Sequence, residues 1–239
     1  MAHHYHDTEI IEIVEETPTT KRFYFKVPHL EDFFFKPGQF VLLDLPIISK
    51  VSHRSYSIAS APGGDNVFEL LIVLNPTGLG TPHMWDHYKV GVKVPYAGPL
   101  GKFVLHPEIE DDLCLICTGT GIAPFRSMIQ HIMTKGIPHK NIYLIFGSRY
   151  QADILYKTEM AEYEAKYPEF KFIPVLSRET PETWNGKLGY VHQVYEEIFA
   201  DKRPAHFYIC GWKAMVKEAR DRLTAMGYTR DRIKFELYD

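Results

Sequence analysis

The segment Arg54-Ser55-Tyr56-Ser57 brings a cation, an aromatic ring and two small hydroxyls into four consecutive positions. Arg54 can pair with a diphosphate, Tyr56 can stack on a flat tricyclic ring, and Ser57 can reach a ring nitrogen. This set suits a flavin nucleotide. On a straight strand Arg54 and Tyr56 share one side and Ser57 takes the other, so only a bent strand gathers all three. A surface arginine beside a packed tyrosine on an edge strand explains the same residues.

A glycine-punctuated turn over 76–81 leads into a predicted helix over Thr81–His87. The first N–H groups of a helix lack partners inside the helix, and the helix dipole also favours an anion there. Gly80 and Thr81 end this turn. We therefore expect a phosphate at this position.

Two more glycine segments follow predicted strands later in the chain, Thr118-Gly119-Thr120-Gly121 and Cys210-Gly211. Ligands of open parallel sheets collect at the carboxyl ends of the strands. The first segment departs from the full G-x-G-x-x-G fingerprint, and a tight strand-to-helix turn needs glycine in any case. Both a nucleotide site and an ordinary turn explain it.

The elements that must position these residues begin with a β-rich half. In the first hundred residues, short apolar segments are separated by turn formers such as Pro37-Gly38 and the stretch 61–66, which predicts an antiparallel β-barrel. The predicted strands are Ile10–Val14, Lys21–Val27, Phe40–Leu45, Arg54–Ala59, Val67–Leu74 and Val92–Tyr96.

In the remainder of the chain, strands alternate with helical patterns, which predicts an α/β domain with a parallel sheet. The predicted strands are Leu113–Cys117, Ile142–Gly147, Lys171–Val175, His206–Cys210 and Arg232–Tyr238, and the predicted helices are Ala123–Lys135, Ile154–Lys166, Val191–Phe199 and Ala214–Ala225. An acidic, proline-bearing connection over 106–112 separates the two halves. We therefore predict two domains, 1–107 and 108–239.

Composition limits the classes of function. The 239 residues are 45% hydrophobic and 24% charged, with a formal net charge of -3 at pH 7. This balance argues against disorder, non-specific nucleic-acid binding and polybasic attachment to a membrane. No apolar stretch approaches the roughly 18 residues of a membrane-spanning helix and no leader opens the chain, so we expect a cytoplasmic protein.

Cysteine and histidine usage predicts no metal site. The chain has three cysteines, Cys114, Cys117 and Cys210. Because an odd number of cysteines is not typical of a disulfide framework, we expect reduced thiols. A plant-type iron–sulfur domain would need four clustered cysteines. His83 and His87 have a spacing that can hold zinc, but no third ligand accompanies them.

Five segments follow one another along the chain: Arg54–Ser57, Gly98–Phe103, Gly119–Phe125, Cys210-Gly211 and the aromatic terminus Glu236–Asp239. Their order and spacing resemble the ferredoxin–NADP reductase family of flavoproteins over nearly the whole chain. The resemblance implies an N-terminal FAD-binding barrel and a C-terminal domain for a nicotinamide nucleotide. It implies FAD, and no metal, as the prosthetic group.

In the barrel, the resemblance implies that Arg54 binds the FAD diphosphate, Tyr56 stacks on the isoalloxazine and Ser57 forms a hydrogen bond near flavin N5. Ser55 belongs to the same binding segment. The pair Gly80-Thr81 would complete the phosphate site.

In the second domain, the resemblance implies that Thr118–Gly121 lets the diphosphate of the nicotinamide nucleotide approach the backbone. Cys210, with Gly211 beside it, would lie next to the nicotinamide C4, although a buried small hydrophobe at a strand end is the plainer explanation. Glu236 and Tyr238 fall where many family members have a carboxylate near the flavin and an aromatic that covers it. Asp239 extends beyond the usual terminal tyrosine.

Basic residues near predicted strand ends bear on the choice of nucleotide. A 2′-phosphate attracts arginine or lysine, whereas a bare 2′-hydroxyl usually meets Asp or Glu. The set Arg149, Ser177, Arg178 and Lys187 resembles the 2′-phosphate cluster of NADP-dependent members, so we favour NADP(H) over NAD(H). Glu179 keeps NADH open, and surface ion pairs of the arginines with Asp153 or Glu179 are the alternative.

The resemblance implies an oxidoreductase that passes electrons between NADP(H) and a one-electron carrier, ferredoxin or flavodoxin, by hydride transfer between nicotinamide C4 and flavin N5. Two alternatives stay open: an NAD(P)H-dependent reductase component of an oxygenase or a flavin reductase, and an electron-relay subunit of a larger complex. Four lysines could form a basic rim that binds an acidic carrier: Lys93, Lys102, Lys213 and Lys217. The alternative is that these lysines are simply solvated surface charges. We expect a monomer with no nucleic-acid or membrane partner.

Overall fold

The computed structural model describes residues 4–48 and 52–238. It contains two compact units, one of Met1–Leu105 with Ala123–Gly136 and one of His106–Ile122 with Ile137–Asp239. The first unit thus takes a helical segment from the second half of the chain. The division into domains 1–107 and 108–239 stays a prediction.

The first unit is built on an antiparallel sheet. Its strands are β1 (His6–Thr17), β2 (Thr20–Lys26), β3 (Phe40–Asp44), β4 (His53–Ser57), β5 (Val67–Val73) and β6 (Lys93–Leu100). Within the described ranges these six strands lie in the order β4-β3-β6-β1-β2-β5. A bridge between Ile58 and Leu70 joins the two outer strands, and the N–H of Ala59 donates to the Glu69 carbonyl at 2.8 Å. This closure confirms the predicted antiparallel barrel.

An aromatic core fills the barrel. Phe25 of β2 stacks on Phe68 of β5 with ring centroids 5.3 Å apart, and Phe33 from the following loop lies 4.9 Å from Phe68. Helix α1 (Gly80–His87) begins one residue before the predicted helix and adds the buried Met84 to this core. The core therefore joins β2, β5 and α1 into one packed body.

The second unit is built on a parallel sheet. Its strands are β7 (Asp112–Thr118), β8 (Ile142–Ser148), β9 (Phe170–Leu176), β10 (Lys187–Leu188), β11 (Ala205–Trp212) and β12 (Ile233–Tyr238). These six strands of the described chain lie in the order β10-β9-β8-β7-β11-β12, and every neighbouring pair is parallel. The helices of the second half are α2 (Ile122–Lys135), α3 (Lys157–Lys166), α4 (Val191–Ile198) and α5 (Lys213–Ala225). The predicted α/β architecture is confirmed.

Two local predictions need correction. The helix predicted over Ile154–Lys166 is wrong at its start, because Tyr156 has a φ of 51° and α3 begins only at Lys157. That left-handed conformation cannot continue a right-handed helix, and Tyr156 adopts it as a buried residue. The two-residue strand β10 was not predicted, since two residues carry no periodicity.

The thiols and helices of the described chain bear on two further expectations. Cys114, Cys117 and Cys210 all lie in described ranges and are free and buried. The described residues contain no group of three or more His, Cys, Asp or Glu placed to hold a metal ion. None of the helices in the described part of the chain is both long and apolar enough to cross a membrane.

A buried ion pair fastens α2 to the barrel inside the first unit. Arg126 Nη1 donates to Glu69 Oε2 at 2.7 Å and to the Ala59 carbonyl at 3.0 Å. The two side chains are only 7% and 2% exposed. Nearby, the Ser127 hydroxyl donates to the Ser60 carbonyl at 2.6 Å. The helix thereby holds the segment that follows β4.

We predict that Arg126→Met lowers the free energy of unfolding by about 3–5 kcal/mol, because Glu69 would stay buried without its cation. Urea denaturation would measure the loss. The control is Arg222→Met, because the Arg222 side chain is 39% exposed and its guanidinium pairs with Glu196 and Glu218 at the surface. That change should cost about 1 kcal/mol or less. Equal losses in the two variants would contradict the prediction.

Candidate functional site

Strand β4 presents Arg54 and Tyr56 on one side. Its ladder with β3 pairs Leu43 with Arg54 and Val41 with Tyr56, in regular register. Period-two alternation therefore places Ser57, which is buried, on the opposite side of the strand, as predicted for a straight strand. The Tyr56 hydroxyl donates to Met84 Sδ at 3.5 Å, and burial raises the pKa of Tyr56 to about 12. Tyr56 is thus a neutral phenol throughout the physiological range.

The start of α1 lies against Arg54. A Cβ added to Gly80 would be 3.4 Å from Arg54 Nε. The described first turn of α1 contains no acidic side chain, and Leu79 provides no side-chain cap. The guanidinium and the positive end of the helix dipole are therefore side by side, an arrangement that an anion stabilises. The predicted phosphate site has the right charge at this position.

Thr81 shapes the turn before α1. Its hydroxyl oxygen accepts the N–H of Asn75 at 2.8 Å and lies 3.3 Å from the Asn75 carbonyl. A further bond, from the N–H of Thr77 to the Asn75 side-chain oxygen at 3.2 Å, tightens the same turn. The structure therefore assigns the Thr81 side chain to the loop, while its backbone belongs to the first turn of α1.

In the second unit, the exits of β7 and β11 approach each other closely. A Cβ on Gly121 would lie 2.5 Å from the Cys210 carbonyl oxygen, and a Cβ on Gly211 would overlap Thr118 Oγ1. Trp212 N–H lies 3.4 Å from that same Thr118 oxygen. The structure thus brings Thr118–Gly121 together with Cys210-Gly211, the two glycine segments that the sequence singled out.

The turn between β7 and α2 has open space beside its first residue. Gly119 has a φ of 52°, and no heavy atom of the described residues lies within 4 Å of the position of its missing Cβ. Gly119–Gly121 forms a short 3-10 turn directly before α2. A glycine with open space above it is what close approach of a ligand to the backbone requires.

Cys210 lies on the sheet between β7 and β12. It is paired in register with Cys117 on one side and Glu236 on the other. Burial raises the pKa of its thiol well above the ordinary value, the nearby Glu236 raises it further, and a hydrogen bond with the Tyr238 side chain acts in the opposite direction. Cys210 is therefore a neutral, packed thiol and no nucleophile.

The last described strand carries Glu236 and Tyr238. Both are partly buried, whereas the intervening Leu237 and the preceding Phe235 are 42% and 39% exposed. Alternation thus places Glu236 and Tyr238 on the side of the sheet that Cys210 occupies, because parallel neighbours in register share a side. Asp239 lies outside the described residues.

Two arginine-bearing bends follow β8 and β9. The N–H of Ser177 donates to the Ser148 carbonyl and that of Arg178 to the Arg149 carbonyl, both at 3.0 Å. Among the described residues neither Arg149 nor Arg178 forms an ion pair. Lys187, predicted to join them, instead pairs with Glu197 at 2.7 Å.

The carboxylates that were expected to compete for these arginines are occupied elsewhere. Asp153 accepts the N–H of Tyr150 at 3.1 Å. Glu179 accepts the N–H of Gln151 at 2.9 Å and the Thr183 hydroxyl at 2.6 Å. Sequence reasoning did not identify this arrangement. The only local signal was a threonine four residues after Glu179.

Comparison with known proteins agrees with this geometry. Residues 7–105 match the model of the oxidoreductase FAD-binding domain, and residues 115–221 match the model of the oxidoreductase NAD-binding domain. Ferredoxin–NADP reductase B of Sorangium cellulosum is 30% identical over 240 residues, which cover 98% of this chain and 97% of that protein. This chain belongs to the ferredoxin–NADP reductase family.

Other members differ in length from this family member. The electron transfer component of anthranilate 1,2-dioxygenase from Acinetobacter baylyi is 28% identical over 80% of this chain. The match covers only 54% of the length of that protein. The crystal structure of an Amycolatopsis cytochrome P450 reductase matches with a TM-score of 0.87 and 28% identity, over 99% of this chain and 71% of that one. Together, the two domain matches identify an oxidoreductase that binds FAD and a nicotinamide nucleotide.

The residues present fit these two groups. The anion site at Arg54 and the start of α1, with the Tyr56 ring beside it, provides the charge and the flat surface that a flavin dinucleotide needs. The open space at Gly119, which begins the turn after a parallel strand, suits the diphosphate of a nicotinamide nucleotide.

We predict that Gly121→Ala weakens NADP⁺ binding roughly tenfold or more, because a Cβ there forces the turn away from Cys210 and about 1.4 kcal/mol of misalignment suffices for that factor. Titration calorimetry would measure the loss. The control is Gly63→Ala, which also replaces a glycine but has no left-handed φ and would bring the added Cβ no closer than 3.4 Å to the Asp65 side chain. Unchanged affinity in Gly121→Ala would show that the close approach at Cys210 does not shape the site.

Proposed function

We propose that this chain uses bound FAD to pass electrons between NADP(H) and a one-electron carrier of the ferredoxin or flavodoxin type. The observation that carries the nucleotide choice is the pair Arg149 and Arg178. Their guanidinium groups are free of ion pairs within the described chain and follow adjacent strand ends, where the nucleotide of such a sheet lies. The near full-length match to a ferredoxin–NADP reductase supports the reaction.

FAD, when bound, accepts a hydride from a nicotinamide ring and can release electrons singly. The chain's own residues bind and orient. Arg54 and the N–H groups at the start of α1 would hold a diphosphate, and Tyr56 would offer its ring for stacking. Ser57 ends β4 on the other side of the strand, so its hydroxyl would reach flavin N5 only through a bend of the chain at that end. Ser55 and Thr81 complete the same two segments.

In the second unit, the N–H groups of Thr118–Gly121 hold the nicotinamide nucleotide's diphosphate. Cys210 stays neutral because its thiol is buried, so it adds apolar contact beside the nicotinamide without adding charge. Glu236 and Tyr238 would supply a carboxylate and an aromatic ring to a bound flavin, as the family resemblance implies. Arg149, Ser177 and Arg178 bind the 2′-phosphate, while Lys187 contributes only after leaving Glu197.

A second candidate is the reductase component of an oxygenase. Relatives named for this role include the anthranilate 1,2-dioxygenase component and the glycine betaine monooxygenase reductase subunit of Chromohalobacter salexigens, and the chain spans 54% and 61% of their lengths. Because this chain matches only a part of each, their partners do not transfer to it directly. A cytoplasmic monomer with a basic rim for an acidic carrier remains part of the first proposal.

Anaerobic stopped-flow reduction of the protein's flavin tests the proposal. NADPH should bleach the visible spectrum rapidly at low concentration, and NADH should be much poorer. Carrier-dependent reduction of cytochrome c should then appear with ferredoxin or flavodoxin. A protein that holds no FAD, even after FAD is added, would overturn the proposal. Rapid reduction without transfer to either carrier would favour the oxygenase role.

We predict that Arg178→Ala raises the KM for NADPH about ten- to a hundredfold, since a hydrogen bond to a charged group contributes about 1.5–3 kcal/mol. The KM for NADH should change far less. Arg230→Ala is the control, because Arg230 precedes the amino end of β12, at the opposite edge of the sheet. Equal losses for both nucleotides would remove Arg178 from the 2′-phosphate site.

We predict that Ser57→Ala slows flavin reduction by NADPH about tenfold while FAD stays bound, since the loss of one oriented hydrogen bond in the reacting geometry has that order of effect. The measurement is the limiting rate of anaerobic reduction. FAD content, read from the absorbance of the released flavin, is the control. An unchanged limiting rate would remove Ser57 from the mechanism.

A further inference from the structure

The Glu179 side chain connects, through hydrogen bonds, the two turns that carry Arg149 and Arg178. The backbone ladder between β8 and β9 continues for two residues beyond the strands, through the N–H groups of Ser177 and Arg178. The next link is Glu179, whose Oε1 accepts the N–H of Gln151 at 2.9 Å. Glu179 thus extends the connection between the two bends past the point where the sheet ends.

The second oxygen of Glu179 is held from its own turn. Oε2 accepts the Thr183 hydroxyl at 2.6 Å, and the same Thr183 oxygen accepts the N–H of Thr180 at 3.1 Å. The N–H groups of Thr183 and Trp184 both donate to the Thr180 carbonyl at 3.0 Å. The turn over 180–184 is therefore closed on itself, and it anchors the carboxylate on the side opposite to Gln151.

This bonding settles the charge of Glu179. The bonds from Gln151 and Thr183 lower the pKa of the carboxyl below its ordinary value. Glu179 is thus ionised from mildly acidic pH upward. The charge of this carboxylate would repel a phosphate placed directly on it.

We propose that Glu179 is a positioning residue for nucleotide specificity: it joins the two bends so that Arg149 and Arg178 keep the spacing that a ribose 2′-phosphate requires. The inference rests on the proposed use of NADP(H) and deepens it. Because each arginine follows the end of a strand, its backbone has no ladder beyond it. The Glu179 bridge makes the two bends rigid before the nucleotide binds. This lowers the entropy lost by the two arginine-bearing bends when the phosphate binds.

Two substitutions of Glu179 distinguish the effect of its hydrogen bonds from the effect of its negative charge. Glu179→Ala removes both hydrogen bonds. Glu179→Gln keeps an oxygen for the Gln151 N–H and an amide that can donate to the Thr183 oxygen, so it keeps the bridge without the charge. Glu182→Ala is the matched control, because it removes a carboxylate from the same turn but has no bond to the 149–153 turn.

The probes are adenosine 2′,5′-bisphosphate and 5′-AMP, titrated calorimetrically into the full chain. For Glu179→Ala we expect affinity for the bisphosphate to fall about three- to tenfold, the range for losing one or two modest hydrogen bonds, and affinity for 5′-AMP to change less than about twofold. Glu179→Gln should bind the bisphosphate as the parent does or more tightly. Amide exchange at Gln151 should accelerate in Glu179→Ala and not in Glu179→Gln. The control Glu182→Ala should match the parent in its affinity for both probes and in the limiting rate of flavin reduction.

Other outcomes overturn the inference in distinguishable ways. Bisphosphate affinity that is unchanged or higher in Glu179→Ala would exclude the positioning role, even if exchange at Gln151 accelerates. Loss of 5′-AMP affinity in both Glu179 variants would identify Glu179 as a direct ribose ligand. A parent protein that does not prefer the bisphosphate over 5′-AMP would overturn the proposed NADP(H) preference itself, and the inference with it.

Discussion

The nucleotide end of the parallel sheet depends on the close approach of two backbone turns. Strands β7 and β11 are neighbours in register, so the chains that leave them meet immediately, and neither Gly121 nor Gly211 has room for a Cβ. With no side chain between them, Gly121 packs directly against the Cys210 backbone, while the space beside Gly119 stays open. The same contact places Cys210 beside that turn. The positions of Thr118–Gly121 and of Cys210-Gly211 follow from this contact and from the strand register around it.

The arginines of the molecule divide into two kinds by what they contact. Arg126 and Arg203 pair with the buried carboxylates of Glu69 and Asp112, each at 2.7 Å. Such pairs join elements within a unit, and the charge of each arginine is neutralised by a carboxylate of the protein itself. Arg149 and Arg178 have no such partner among the described residues, and nearby carboxylates accept from backbone and hydroxyl groups instead. Since a cation is most useful to a ligand when no local anion neutralises it, these contacts favour Arg149 and Arg178 over Arg126 and Arg203 as ligand-binding groups.

The comparisons show one architecture used in proteins of different lengths. This chain covers 97% of a ferredoxin–NADP reductase and 54% of a dioxygenase electron transfer component. The two-domain unit is thus a whole protein in one case and part of a longer one in the other. In this chain the segments that match the FAD-binding and NAD-binding domain models, residues 7–105 and 115–221, together take up most of the sequence.

The amino-acid sequence by itself determined the order of the elements and the two kinds of sheet, because period-two and period-3.6 patterns and turn residues are local signals. It also located the glycine turns at the ends of β7 and β11. The sequence did not predict the start of α3 correctly, because the buried Tyr156 adopts a left-handed conformation that local propensity does not favour. Only the tertiary structure decided that Lys187 pairs with Glu197, that Glu179 joins two turns, and that Arg126 is buried against Glu69. These contacts join residues 10 to 57 positions apart, and no local pattern specifies which distant group will meet a given charge.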